Sequence, residues 1–520
     1  MRRSGAMALA LALFIIASGT SGTGCTTLGS QPPVDVSPVA KPLPVKLEPA
    51  PHLAYELDGY PSVQLYAPEL VSPDGKYLLA NMEGSIRTLP LAPGLEMKTL
   101  YSAPQDTFQR IACMPVGWLT PDRCLFVAPG RGESGQTKAA DTVVLYEGDP
   151  GSGNCSAITS FAFPQGLLRR VAFDISAGKV FLHVSGAIWE MDVAARTSKP
   201  VRSDLPMWDG LFQAIPSPSG RFFIYNMPME GHTALTLLDT RDKTERDIHE
   251  SALGWSFYPQ WSPDGRYAAA FLAGKKEGSP GARSTDFEVI PSEDGPYPTA
   301  KALAIYDTQT GSCHVVRVES EWLSYPTWSP DSKKLLFLSG TVAYDPERGI
   351  SPESVRPSWR TLWAVDPAHP EDPVKIGDLS KVQIAQDSIA AIQAALPGGS
   401  AALVGIWSTS GDGWSLLLSE QGKDPVTIPG GSPTLVAAPA YLLPGNVEAI
   451  AVQRGSGLTG ADLLLLKLGS DGYSVRPAIK GDDAETMYVM GRTQDSVVLA
   501  IMGHEESWVL AVYKTADLTR

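Results

Sequence analysis

The chain has 520 residues, 43% hydrophobic and 19% charged, with 49 Gly and 44 Pro. That apolar content supports a large core, and that density of turn formers suits many short strands better than long helices. A net charge of −14 excludes a general electrostatic grip on nucleic acid or anionic lipid, which needs an excess of Lys and Arg.

In chain order, the first predicted element is a targeting segment. Arg2 and Arg3 precede the apolar run AMALALALFIIA, Ala6 to Ala17, which is too short to span a bilayer and suits a secretory h-region. Small residues, SGTSGTG, lead to Cys25. This resembles a bacterial lipoprotein signal, and the resemblance implies that Cys25 is lipidated and becomes the mature N-terminus. Residues 1–25 are thus expected to be a signal and residues 26–51, with seven prolines, an extended tether reaching ~60–80 Å. The expected location is extracytoplasmic, on a cell envelope membrane.

From residue 52 a repeated pattern takes over. It reads LVSPDGKYLLANM from Leu70, VGWLTPDRCLFVA from Val116, VAFDISAGKVFLHVSG from Val171 and IPSPSGRFFIYNM from Ile215. The strongest copies are YPQWSPDGRYAAAFLAG from Tyr258 and YPTWSPDSKKLLFLSG from Tyr325. Looser copies follow from Ala395, Tyr441 and Gly491. Each is an apolar strand, a tight turn and a second apolar strand. In S-P-D-G, Pro sets φ for the first corner, Asp bonds its own backbone, and Gly takes positive φ. Asp74, Asp122, Asp264 and Asp331 are therefore read as structural turn residues. A third strand ending in Asp follows at AIWEMD, ALTLLD, ALAIYD and TLWAVD, then a fourth. Trp118, Trp261 and Trp328 stand at equivalent places and read as packing residues between units.

Units of this length, each a four-stranded antiparallel meander, indicate an all-β fold: a single β-propeller over residues 52–520. The Y-P-x-W-S-P-D-G pattern resembles the repeat of TolB-like propellers, and that of the propeller in prolyl-oligopeptidase-type enzymes. Nine units can be marked. Eight blades are expected, with one weak unit a miscount, within a range of seven to nine; the segment HLAYELD from His52 is expected to complete the last blade.

No G-x-S-x-G elbow, zincin motif or phosphate loop occurs, so no catalytic residue, metal ligand or cofactor is assigned. The seven His are scattered, and a metal-dependent lyase or hydrolase working in the propeller funnel stands as the alternative function. Cys113, Cys124, Cys155 and Cys313 are permitted disulfides by the compartment. Cys113 and Cys124 flank a predicted hairpin turn and could face one another; spacing leaves the connectivity open.

Three insertions separate second from third strands: after Gly274, after Gly340 and from Ala128. Candidate binding residues are Arg283, Asp286, Glu288 and Tyr297 in the first, and Tyr344, Asp345, Arg348 and Arg356 in the second, because Arg and Tyr suit recognition surfaces on a rigid scaffold. The expected function is non-catalytic binding of a protein, peptide or envelope glycan, with the membrane as a second partner through the lipid, and no nucleic acid.

Overall fold

The computed structural model describes residues 43–59, 61–62, 70–103, 113–130, 142–162, 168–184, 186–205, 214–229, 232–251, 259–271, 287–290, 297–300, 302–319, 322–323, 326–344, 355–382, 388–408, 414–428, 431–433, 441–443, 447–454, 460–503 and 507–518. Among these, strands dominate. Blade 1 consists of Pro61–Ser62, Tyr77–Met82, Ser85–Pro90 and Lys98–Ser102, paired antiparallel in chain order. The same order recurs in blade 2 (114–162), blade 3 (168–202), blade 4 (215–251), blade 5 (260–317), blade 6 (322–378), blade 7 (388–428) and blade 8 (431–481). Blade 9 takes Ala484–Arg492, Ser496–Gly503 and Trp508–Lys514, and its outermost strand is Leu53–Leu57 from the other end of the chain.

Among the described residues the ring thus has nine blades, within the expected range of seven to nine but one more than the favoured eight. Every marked unit folds as its own sheet. The weak units lack S-P-D-G because they reach the same corner by other means. Blade 7 turns through Pro397–Gly399, where Gly398 and Gly399 take φ of +74° and +62°.

Buried apolar side chains knit each blade to the next. Val127 and Leu145 of blade 2 share a cluster with Val180 and Leu182 of blade 3; Phe181 meets Phe223; Ile224 meets Ala268 and Tyr306. Ile305 packs with Phe337, Leu338 with Val404, Leu403 with Leu466, and Leu463 with Leu499. One further cluster joins Leu510 of blade 9 to Leu78 of blade 1 and Phe126 of blade 2, which closes the circle. A blade is apolar on both faces, so it is stable only between neighbours.

The meander order defines two faces. First–second and third–fourth turns lie on one, the turn face. Second–third connections and the links between blades lie on the other, the link face. The N-terminal segment locks two blades. Leu47–Glu48, inside the stretch read as tether, adds an outer strand to blade 8, making its sheet six-stranded, with Leu47 opposite Gly481 and Glu48 opposite Lys480. Val45 is 3% exposed and packs in the blade 8–blade 9 core. Tyr513 donates to the Pro49 carbonyl (3.1 Å) and Tyr55 to the Pro90 carbonyl (3.0 Å).

Candidate functional site

The turn face is built from a repeated hydrogen-bond unit. In blade 5, the Ser262 hydroxyl donates to Asp264 (2.6 Å) and accepts from the Tyr267 N–H (2.9 Å), while Asp264 accepts from the Arg266 N–H (3.0 Å). Blade 1 repeats this with Ser72 and Asp74 (2.7 Å), and blade 6 with Ser329 and Asp331 (2.7 Å). In blade 2, Asp122 accepts from the Thr120 hydroxyl. Ser72, Ser217, Ser262 and Ser329 are all buried. The serine of S-P-D-G thus satisfies backbone N–H groups in the core. Sequence reasoning credited Pro, Asp and Gly and missed it; its recurrence was the available signal.

The same unit reaches sideways. The Trp indole N–H of one blade donates to the first-strand carbonyl of the blade before it: Trp118 to Leu70 (2.7 Å), Trp261 to Ile215 (3.1 Å), Trp328 to Gln260 (3.2 Å). Trp261 also stacks on Phe222, and Trp328 on Tyr267. On those rings lie Arg221 and Arg266, each 4.7 Å from the centroid, and each pairs with the third-strand aspartate of its blade, Asp239 (3.0 Å) and Asp307 (2.8 Å). Burial works against the Asp307 carboxylate, but Arg266 and the N–H groups of Gln309 and Thr310 outweigh it and hold its pKa below the ordinary range. Among the described residues, these groups engage one another on the turn face.

The link face differs. In blade 1 the second–third connection is a two-residue turn, Glu83–Gly84, with positive φ at both positions, as a tight hairpin requires. Blades 5 and 6 instead raise hairpins. In blade 6 the strands Leu335–Tyr344 and Val355–Asp366 continue past a bulge at Ser339/Gly340 through five further rungs, Gly340↔Trp359 to Tyr344↔Val355, a rise of about 17 Å. The root is firm. The Trp363 N–H donates to the buried Ser339 hydroxyl (2.8 Å), and Trp359 is 7% exposed. In blade 5 the insertion folds into a separate hairpin, Phe287–Ile290 with Tyr297–Ala300. Its second strand adjoins Trp322–Leu323, which pairs with Ser339 and Gly340 at the root of the blade 6 hairpin. The two hairpins are neighbours on one face.

Of the candidate binding residues, Arg283, Asp286, Asp345 and Arg348 lie outside the described residues. Glu288 sits opposite Thr299, and Tyr297 opposite Ile290 two rungs on, in the blade 5 hairpin. Tyr344 pairs with Val355 and Arg356 with Ala343 on adjacent rungs of the blade 6 hairpin. Sequence reading treated these stretches as loops. Their β-branched and aromatic content, FEVI and TVAY, was the signal for strands. The third insertion, 131–141, and Cys25 lie outside the described residues.

Among the described residues, Cys113, Cys124 and Cys313 form no disulfide. Cys124 lies opposite Trp118, not Cys113, whose thiol donates to the Gly84 carbonyl of blade 1 (3.1 Å). Burial pushes the Cys113 and Cys124 thiols up to about 12. His183, His232 and His314 stand on blades 3, 4 and 5, and no group of three His, Cys, Asp or Glu side chains is assembled among the described residues.

No protein-family model and no curated protein matches the chain. Solved structures do resemble it. Dipeptidyl peptidase 4 from Porphyromonas gingivalis is 11% identical with a TM-score of 0.41; the match covers 87% of this chain and 59% of that one. The Dos1 propeller is 9% identical, with coverages of 89% and 94% and a TM-score of 0.43. TolB from Acinetobacter baumannii is 14% identical, with coverages of 59% and 65% and a TM-score of 0.24. The chain thus spans less than two thirds of the peptidase and of TolB. These likenesses are of fold; the fold itself rests on the sheet order above.

Proposed function

We propose that the protein is an extracytoplasmic lipoprotein, anchored through Cys25, whose propeller binds a protein, peptide or cell-envelope glycan without catalysis. One observation carries this reading: blades 5 and 6, adjacent in the ring, both replace the tight second–third turn with a raised hairpin, and the two hairpins adjoin. Paired strands on a rigid disc offer a binding ligand a preorganised surface and lose little entropy on contact. On the turn face, by contrast, the described Ser, Asp and Arg groups bond mainly within their own blades and the Trp N–H groups bond to the blade before.

The test compares the full chain with a variant whose blade 6 hairpin, residues 341–358, is replaced by Asn-Gly, and a second whose residues 275–300 are shortened. Each is immobilised and offered fractionated envelope proteins, peptides and glycans. The expected result is a defined ligand retained by the parent and lost by both variants, with melting temperatures unchanged. Equal retention by all three, or turnover of a retained glycan or peptide, would overturn the reading.

A further inference from the structure

The N-terminal segment enters the disc on one particular face. Pro44 and Val45 lie beside Gly503, the last residue of the second strand of blade 9: a Cβ placed on Gly503 would meet Val45 at 2.6 Å. Leu47 pairs with Gly481, the last residue of the fourth strand of blade 8. Second and fourth strands both run from the turn face to the link face, so both contacts are at the link face. The pairing is antiparallel, so the chain runs inward from that face as it passes from Leu47 to Glu48. The hairpins of blades 5 and 6 spring from second–third connections and therefore rise from the same face.

We propose that the hairpin-bearing face looks toward the surface to which the N-terminus is attached, and that its partner is a protein held close to that surface. This rests on Cys25 being the anchor. The 18 residues from Thr26 to Leu43 can span at most about 60 Å, which sets the depth of the gap that the partner occupies. A bilayer of anionic lipid is the poorer occupant. Residues 275–301 carry four Lys and Arg against five Asp and Glu, and residues 341–358 carry two against three. Each insertion is thus slightly acidic and gains nothing from a negative surface. The turn face looks outward.

The experiment uses the full chain, recovered lipidated from a bacterial host and inserted into vesicles. Cys155 and Cys313 are changed to Ser, and a single dye site is introduced as Glu319→Cys, exposed on the link between blades 5 and 6, or as Lys333→Cys, exposed on the turn face. Energy transfer to an acceptor-labelled headgroup then ranks the two sites by distance. Stronger transfer from the Glu319→Cys site is expected, unchanged when phosphatidylserine replaces phosphatidylcholine. Equal transfer, or stronger transfer from Lys333→Cys, would overturn the orientation. Transfer that rises steeply with phosphatidylserine would make lipid, not protein, the occupant. Failure of the chain to float with vesicles would sink the anchor itself. Coupling Cys25 to a maleimide lipid then ranks the same two sites, so the two failures are told apart.

Discussion

Ser262 shows what one side chain contributes. It is fully buried, and its hydroxyl serves both the Asp264 carboxylate and the Tyr267 N–H. Ser262→Ala should lower stability by about 1–3 kcal/mol, the cost of a buried donor left unmade, read as a shift in urea midpoint at constant slope. Trp328→Phe keeps the stacking on Tyr267 but strips the Gln260 carbonyl of its indole partner, and should cost about 1 kcal/mol. At Ser332 the chain takes φ of +60° where blade 5 has Gly265, yet the Ser332 hydroxyl accepts from the Asp264 N–H (2.9 Å) of the neighbouring blade. The strained backbone is thus offset by a bond that glycine could not supply. Acid should act through the same turns. Asp74, Asp307, Asp331 and Asp366 all have pKa values held below the ordinary carboxylate range, burial notwithstanding, by N–H, hydroxyl and cationic partners; Asp378 and Asp495 are lowered to about 2, chiefly by Ser380 and Lys514 respectively. Depressed carboxylates contribute stability in full above their unfolded value and lose it as pH falls through the folded one. The urea midpoint should therefore be flat from pH 7 to 5 and fall between about pH 4 and pH 2. Asp307→Asn should flatten part of that fall.

At the scale of the element, the hairpins and the turns divide the labour. A turn unit ties two blades; the outer rungs of the blade 6 hairpin pair with each other beyond the root at Ser339 and Gly340. Replacing residues 341–358 with Asn-Gly should therefore move the melting temperature by no more than about 3 °C, a change below about 1 kcal/mol for a chain this large, measured by calorimetry on parent and variant. A larger drop would mean that the hairpin is part of the scaffold. Strand content there was readable in principle from FEVI and TVAY, but the Gly, Pro and charged residues around both segments point to loops, and which residues pair across each insertion is set by the disc beneath them. The turns were readable outright, because S-P-D-G is local chemistry: the residues that bond are within five positions of each other.

The whole molecule is held by a strand from its own beginning. Leu53, Ala54, Tyr55 and Leu57 are each buried and paired with Val512 to Trp508; Leu53, Tyr55 and Leu57 lie in the cluster between blade 9 and blade 1, and Ala54 in the cluster between blade 8 and blade 9. Removing residues 1–57 should cost about 5 kcal/mol or more, the burial of those side chains at ~1.5–3 kcal/mol for each large one. It should also expose the edge of Trp508–Lys514, seen as a lower melting temperature with concentration-dependent association. An unchanged melting temperature would show that eight blades and a three-stranded ninth suffice.

The repeat and the four-stranded unit could be read from the chain alone, because each follows from periodicity, turn chemistry and apolar pattern within one unit; the closing strand was legible because the last unit shows only three strands of its own and HLAYELD is left over at the start. The blade number could not. Blades 7 and 8 lack the motif, and whether a weak unit becomes a blade depends on the apolar faces of its neighbours, such as Leu403 against Leu466. The pairing of Cys124 with Trp118 instead of Cys113 is a matter of register, and so is the placing of Tyr344 opposite Val355 and of Arg356 opposite Ala343. That the N-terminal segment and both hairpins share a face was likewise decided only in three dimensions, since strand direction around a closed ring brings together segments more than 200 residues apart.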